Sequence, residues 1–127
     1  MSALAHQQNG YLSATKSTGM PRSIEYQLFS RVTGKLNKAS KPGAKFPALA
    51  EALHENLRLW TTLAIDVMDE DNALPAQLRA QLFYLFEFTQ AHTPKVLKGN
   101  SDAHVLIEIN TSVMRGLRQT PPTEGGE

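Results

Sequence analysis

Residues 49–67 read LAEALHENLRLWTTLAIDV, and this stretch decides the fold class. At about 100° per residue, Leu49, Leu53, Leu57, Trp60, Ala64 and Val67 fall on one narrow stripe, and Leu59 and Leu63 widen it on one side. An apolar stripe of that length belongs to an amphipathic helix, and no strand-like alternation competes with it anywhere in the chain.

Upstream, Ser40, Pro42, Gly43 and three lysines between Lys38 and Pro47 mark a connecting loop. Before it, Pro21 suits a first helical turn, and Ile24, Leu28, Val32 and Leu36 recur at four-residue steps with Phe29 beside them. That spacing predicts a helix from Pro21 to Asn37, with Thr18 or Ser23 as its cap because Met20 carries no capping oxygen. Downstream, Asp69, Glu70, Asp71 and Asn72 break the pattern, and Asn72 or Asp71 is expected to accept free amide hydrogens of a third helix. That helix is expected from Ala73 to His92 on the stripe Leu78, Leu82, Leu85 and Phe86. Thr93 and Pro94 then kink it or restart a turn ending at Lys98 and Gly99. Ser101 and Asp102 offer a cap for a fourth helix with the stripe Leu106, Ile109, Val113 and Leu117.

The expected fold is all-α, a small bundle of about four helices in one domain. Residues 1–20 are expected to be a flexible arm, 21–118 the helical domain and 119–127 a disordered tail.

Composition narrows the function classes. The 127 residues are 41% hydrophobic and 20% charged, ordinary for a globular chain. Thirteen basic against twelve acidic residues leave a formal charge of +1, too little for a global field that draws in nucleic acid or anionic lipid. No cysteine is present, which excludes disulfides, thiolate nucleophiles and Cys-based metal sites. The N-terminus has neither the basic start nor the apolar run of a secretory signal, and no stretch approaches the ~20 apolar residues that span a bilayer. A cytoplasmic protein without membrane contact is the expectation.

No catalytic, cofactor or metal site emerges. The acidic turn fails the calcium-loop spacing, since Ala73 and Leu74 stand where an oxygen ligand and a glycine belong. His6, His54, His92 and His104 include no i, i+3 or i, i+4 pair. The serines form no Gly-x-Ser-x-Gly elbow and the glycines no phosphate-binding cluster, so no enzyme activity is expected.

Charge is uneven along the chain. Arg22, Arg31, Lys35, Lys38, Lys41 and Lys45 face only Glu25 in their segment, whereas Glu51 to Asp71 holds six acidic residues and only Arg58. Such a basic stretch is either a solvated face or a contact for RNA phosphates, although only Phe46 interleaves the loop lysines as a base-stacking group. In the third helix Phe83, Tyr84 and Phe88 carry large side chains round most of the cylinder from Leu82. The helix is therefore either the buried centre of the bundle or exposes one face as a docking groove for an apolar partner helix. Asn110 falls inside the fourth helix's stripe, and a buried amide must find partners, here a structural cap.

Three further motifs accompany these patterns: Ala52-Leu53-His54-Glu55-Asn56 with Leu59-Trp60-Thr61, Asp71-Asn72-Ala73-Leu74-Pro75 with Leu78-Arg79-Ala80, and Leu106-Ile107-Glu108-Ile109-Asn110 with Met114-Arg115-Gly116-Leu117. In that order, with Pro21-Arg22 through Tyr26, Leu28-Phe29 and Val32-Thr33 ahead of them, the chain resembles the flagellar biosynthesis regulator FlaF family over residues 20 to 118. The resemblance implies a non-enzymatic, all-helical protein without cofactors that acts on flagellin, as a chaperone before export or as a promoter of flagellin production opposing the repressor FlbT. On the chaperone reading the flagellin contacts are Tyr26, Phe29, Phe83, Tyr84 and Phe88, with Arg31 and Lys35 on the rim of a groove between the third and first helices. Trp60, Asn72, Pro75 and Asn110 are assigned to the fold. The alternative is a post-transcriptional regulator that acts on flagellin mRNA or through FlbT, with direct nucleic-acid binding the less favoured route.

Overall fold

The computed structural model describes residues 22–119. The arm expected at 1–20, the tail at 120–127 and the side chains proposed to cap the first helix lie outside the described residues. Four helices follow in order: α1 (Arg22–Ala39), α2 (Phe46–Met68), α3 (Ala76–Leu97) and α4 (His104–Gln119). The described residues contain no strand.

Local chemistry places each helix end. Pro47 sits in the first turn of α2, where a missing N–H costs nothing. After α2, Asn72 is buried and clamps the turn: its Nδ2 donates to the Asp66 carbonyl at 3.1 Å and its Oδ1 accepts the Leu74 N–H at 2.9 Å. The expected cap on α3 is thus a turn clamp instead, because Asn72 lies too far before the helix. Pro75 precedes α3 and offers no side-chain cap; its carbonyl accepts the Arg79 N–H.

α3 begins three residues later than expected and runs unbroken through Pro94 to Leu97. Pro94 lies in the last turn, where it removes only one hydrogen bond, and the Thr93 hydroxyl bonds back to the Thr89 carbonyl at 2.7 Å. The helix ends at Gly99, whose φ of 79° is open to glycine at no steric cost. There the Gly99 N–H reaches the Val96 carbonyl and the Asn100 N–H the Lys95 carbonyl, a Schellman closure. Asp102 then caps α4, its Oδ1 accepting the His104 N–H at 2.9 Å.

Short connections force successive helices antiparallel, and the core divides accordingly into two clusters. One gathers Leu36, Ala39, Ala52, Leu53, Val96, Ala103 and Leu106, where α1 and α3 end and α2 and α4 begin. The other, at the opposite end, gathers Phe29, Val32, Leu59, Trp60, Leu63 and Val67. Phe29 meets Trp60 edge to face with ring centroids 5.7 Å apart, a geometry that suits the two ring quadrupoles.

A buried polar knot joins three helices between these clusters. Asn110 of α4, with no exposed surface, accepts the Trp60 indole N–H on Oδ1 at 2.9 Å. Its Nδ2 donates to Asn56 Oδ1 at 2.7 Å and to Thr33 Oγ1 at 3.0 Å. Asn110 is therefore structural as expected, but it ties α1, α2 and α4 together at mid-height instead of capping an end.

Candidate partner-binding face

The closely packed helix pairs are α1 with α2, α1 with α4 and α2 with α3. In an up-and-down bundle the remaining neighbours are α3 and α4, and among the described residues that side is not closely packed. At one end Val96, Ala103 and Leu106 close it. Toward the other end α3 presents Leu82, Phe83, Leu85 and Phe86 against the Phe29–Trp60 cluster, and α4 presents Ile109, Val113 and Met114, all only half-buried. No side chain of α3 before Thr89 is buried, although this half carries the helix's largest apolar groups.

α3 is therefore not the buried centre of the bundle. It leans on α2 and leaves an apolar flank in contact with water, with Phe83 and Phe86 packed at 5.6 Å on it. Half-covered aromatic surface of this kind loses further water contact when a partner's apolar side chains seat on it.

The residues expected to bind a partner do not gather in one place. Phe83 lies on the open face, and Phe88, half-buried, stacks on the His92 ring at 5.3 Å nearer the closed end. Tyr84 is 63% exposed on the outer side of α3, and Tyr26 is half-buried on α1. Phe29 is 1% exposed and belongs to the core, since its ring is sealed against Trp60. Arg31 and Lys35 sit over the seam between α1 and α2. Lys35 Nζ pairs with Glu55 Oε2 at 2.6 Å and Glu51 Oε2 at 3.1 Å. The hydrogen bond to Glu55, then that to Glu51, raises the Lys35 pKa, and the bond from Lys35 lowers that of Glu55.

The wall opposite α3 is thus α4, not α1. Ile109, Val113 and Met114 were not singled out as contacts from sequence, although Ile109 and Val113 lie on the α4 stripe and Met114 widens it. Excess apolar width on both helices flanking one gap was the available signal. Among the described residues no group of three or more His, Cys, Asp or Glu is placed to hold a metal, and no helix is long and apolar enough to cross a membrane.

Fold and face together define a small up-and-down helical bundle with a row of half-buried apolar side chains on one side. The profile of the family described as "Flagellar protein FlaF" matches residues 7–117. The chain belongs to the FlaF family, a family of flagellar proteins and not of enzymes. No curated protein and no solved structure matches the chain significantly.

Proposed function

We propose that this protein binds flagellin through the open face between α3 and α4, holding it for export and so supporting flagellin production. The observation that carries the reading is the row of half-buried apolar side chains on both helices over one core cluster. Flagellin's terminal segments are amphipathic and unpaired before assembly, so they present an apolar helical face that such a groove covers by helix-in-groove recognition. Coupled folding and binding keeps that contact specific yet reversible at the export gate. Of the contacts expected from sequence, Phe83 and Phe88 stay in the proposed set with Tyr26 and Tyr84 at its edges, and Val113 and Met114 join it. Phe29 acts beneath the face as support. Arg31 and Lys35 drop out of the set, because they lie over the α1–α2 seam, away from that face, and Lys35 is paired with Glu51 and Glu55. The regulatory alternative through RNA is the less favoured, because Lys35 of the basic stretch is already engaged by two carboxylates of α2.

The test is a titration of purified monomeric flagellin, read by calorimetry and by complex mass from light scattering at two salt concentrations. A complex that survives high salt is expected, since apolar burial is not screened. Met114→Glu should weaken it at least tenfold, about 1.4 kcal/mol, whereas Ile65→Glu on the outer side of α2 should not. Equal affinity for both variants, or no complex at micromolar concentrations, rules the groove reading out and turns the search to FlbT and RNA.

A further inference from the structure

The open face lies at the end of the bundle where α1 begins. Leu28, in the second turn of α1, packs on the same core cluster as Phe83, Phe86, Val113 and Met114. Twenty-one residues precede Arg22, enough to span about 70 Å when extended, so every point of that face is within their reach. They include Leu4, Tyr11, Leu12 and Met20 as large apolar side chains and not one carboxylate. Their side-chain charge at neutral pH is that of Lys16, and the same end of the bundle carries the acidic turn Asp69, Glu70 and Asp71, all exposed. The match to the family begins at residue 7, well ahead of α1, so this segment is part of the unit the family shares.

We propose that residues 7–20 of this same chain occupy the open α3–α4 face in the free protein, with Tyr11 and Leu12 seated against Phe83, Phe86 and Val113, and that a partner must displace them. Tethering makes the contact intramolecular, and a short tether supplies effective concentrations on the order of millimolar. A weak apolar contact is then enough to cover the face and keep it from associating with other copies. A partner's apparent affinity falls by the fraction of molecules in which the segment is seated. The face is the one assigned above to flagellin, but the inference does not rest on that partner.

The chain has no cysteine, so Ser13→Cys in the full-length protein gives a unique site for a nitroxide label. In an isotope-labelled sample, paramagnetic broadening is expected at Phe86, Val113 and Met114, and not at Ile65 or Leu97. Adding Tyr11→Ser and Leu12→Ser to the labelled chain should abolish the broadening, leave the helical circular dichroism unchanged and raise the binding of 8-anilinonaphthalene-1-sulfonate severalfold. Broadening confined to the vicinity of Phe46 and Leu97, or none above background, overturns the proposal. So does broadening that persists when the nitroxide is on one copy and the isotope on another, because the occupant is then a second molecule. No flagellin is present, so failure here leaves the flagellin reading standing, and loss of flagellin binding leaves this one untouched.

Discussion

Asn110 illustrates how one side chain carries more than its own burial. It satisfies the Trp60 indole, the Thr33 hydroxyl and the Asn56 amide oxygen at once. Asn110→Ala strands these groups in a buried site, where each unpaired polar group costs roughly 1–3 kcal/mol. The expected loss is about 2–4 kcal/mol by urea denaturation, and a cycle with Trp60→Phe should show a coupling of about 0.5–3 kcal/mol. Strict additivity would mean that the indole bond contributes nothing. Thr89 gives the opposite case. It is 1% exposed and its hydroxyl has no partner among the described residues. Thr89→Val keeps the shape and removes the stranded group, so stability should hold or rise by about 1 kcal/mol. A loss beyond about 1.5 kcal/mol would show instead that a buried water serves the hydroxyl. The sequence marked Asn110 as an oddity on an apolar stripe, but its partners lie 77, 54 and 50 residues away and are invisible to local reading.

At the scale of elements, the interest lies in which helix meets which. α1 is basic and α2 acidic, and the antiparallel pairing sets Lys35 of one beside Glu51 and Glu55 of the other. The Glu55 pKa is lowered in the folded chain, so this support is present above the usual carboxylate value of 4.5 and is lost as pH falls through the folded value. The Lys35 pKa is raised, so the same support is present below 10.5 and is lost as pH rises through the folded value. Both groups are solvent-exposed, so the effect is small and weakens with salt. Lys35→Met should flatten the stability profile at both edges of that window in low salt and change little in molar salt. An unchanged profile would show that the pair is incidental. The helices themselves and their order were legible, as were the stripe of α2, the Asp102 cap and the Gly99 stop, whereas Leu78, expected on the stripe of α3, is exposed. The start of α3 was not, because Asn72 bonds back toward α2 and leaves Pro75 to set the first turn.

For the molecule as a whole, the decisive feature is asymmetry: three sides of the bundle are closely packed, and one is closed at a single end only. Local stability follows the number of covered apolar contacts. Amides in residues 79–88 of α3 should therefore exchange hydrogen measurably faster than those in residues 56–67 of α2, where most core side chains are buried. Equal protection, with both segments opening only by global unfolding, would contradict an independently held α3. The sequence by itself determined the class of this protein: four amphipathic helices, their order, the Asp102 cap, the Gly99 stop and the motifs that resemble FlaF, because periodicity and capping depend on residues close in the chain. Only the tertiary structure decided where water remains. Whether Phe29 is core or contact, whether Lys35 is free or paired, and whether α3's apolar girdle is buried or open each depend on a neighbour supplied by distant residues. The structure places Phe29 on Trp60, Lys35 on Glu51 and Glu55, and α4 across the gap from α3.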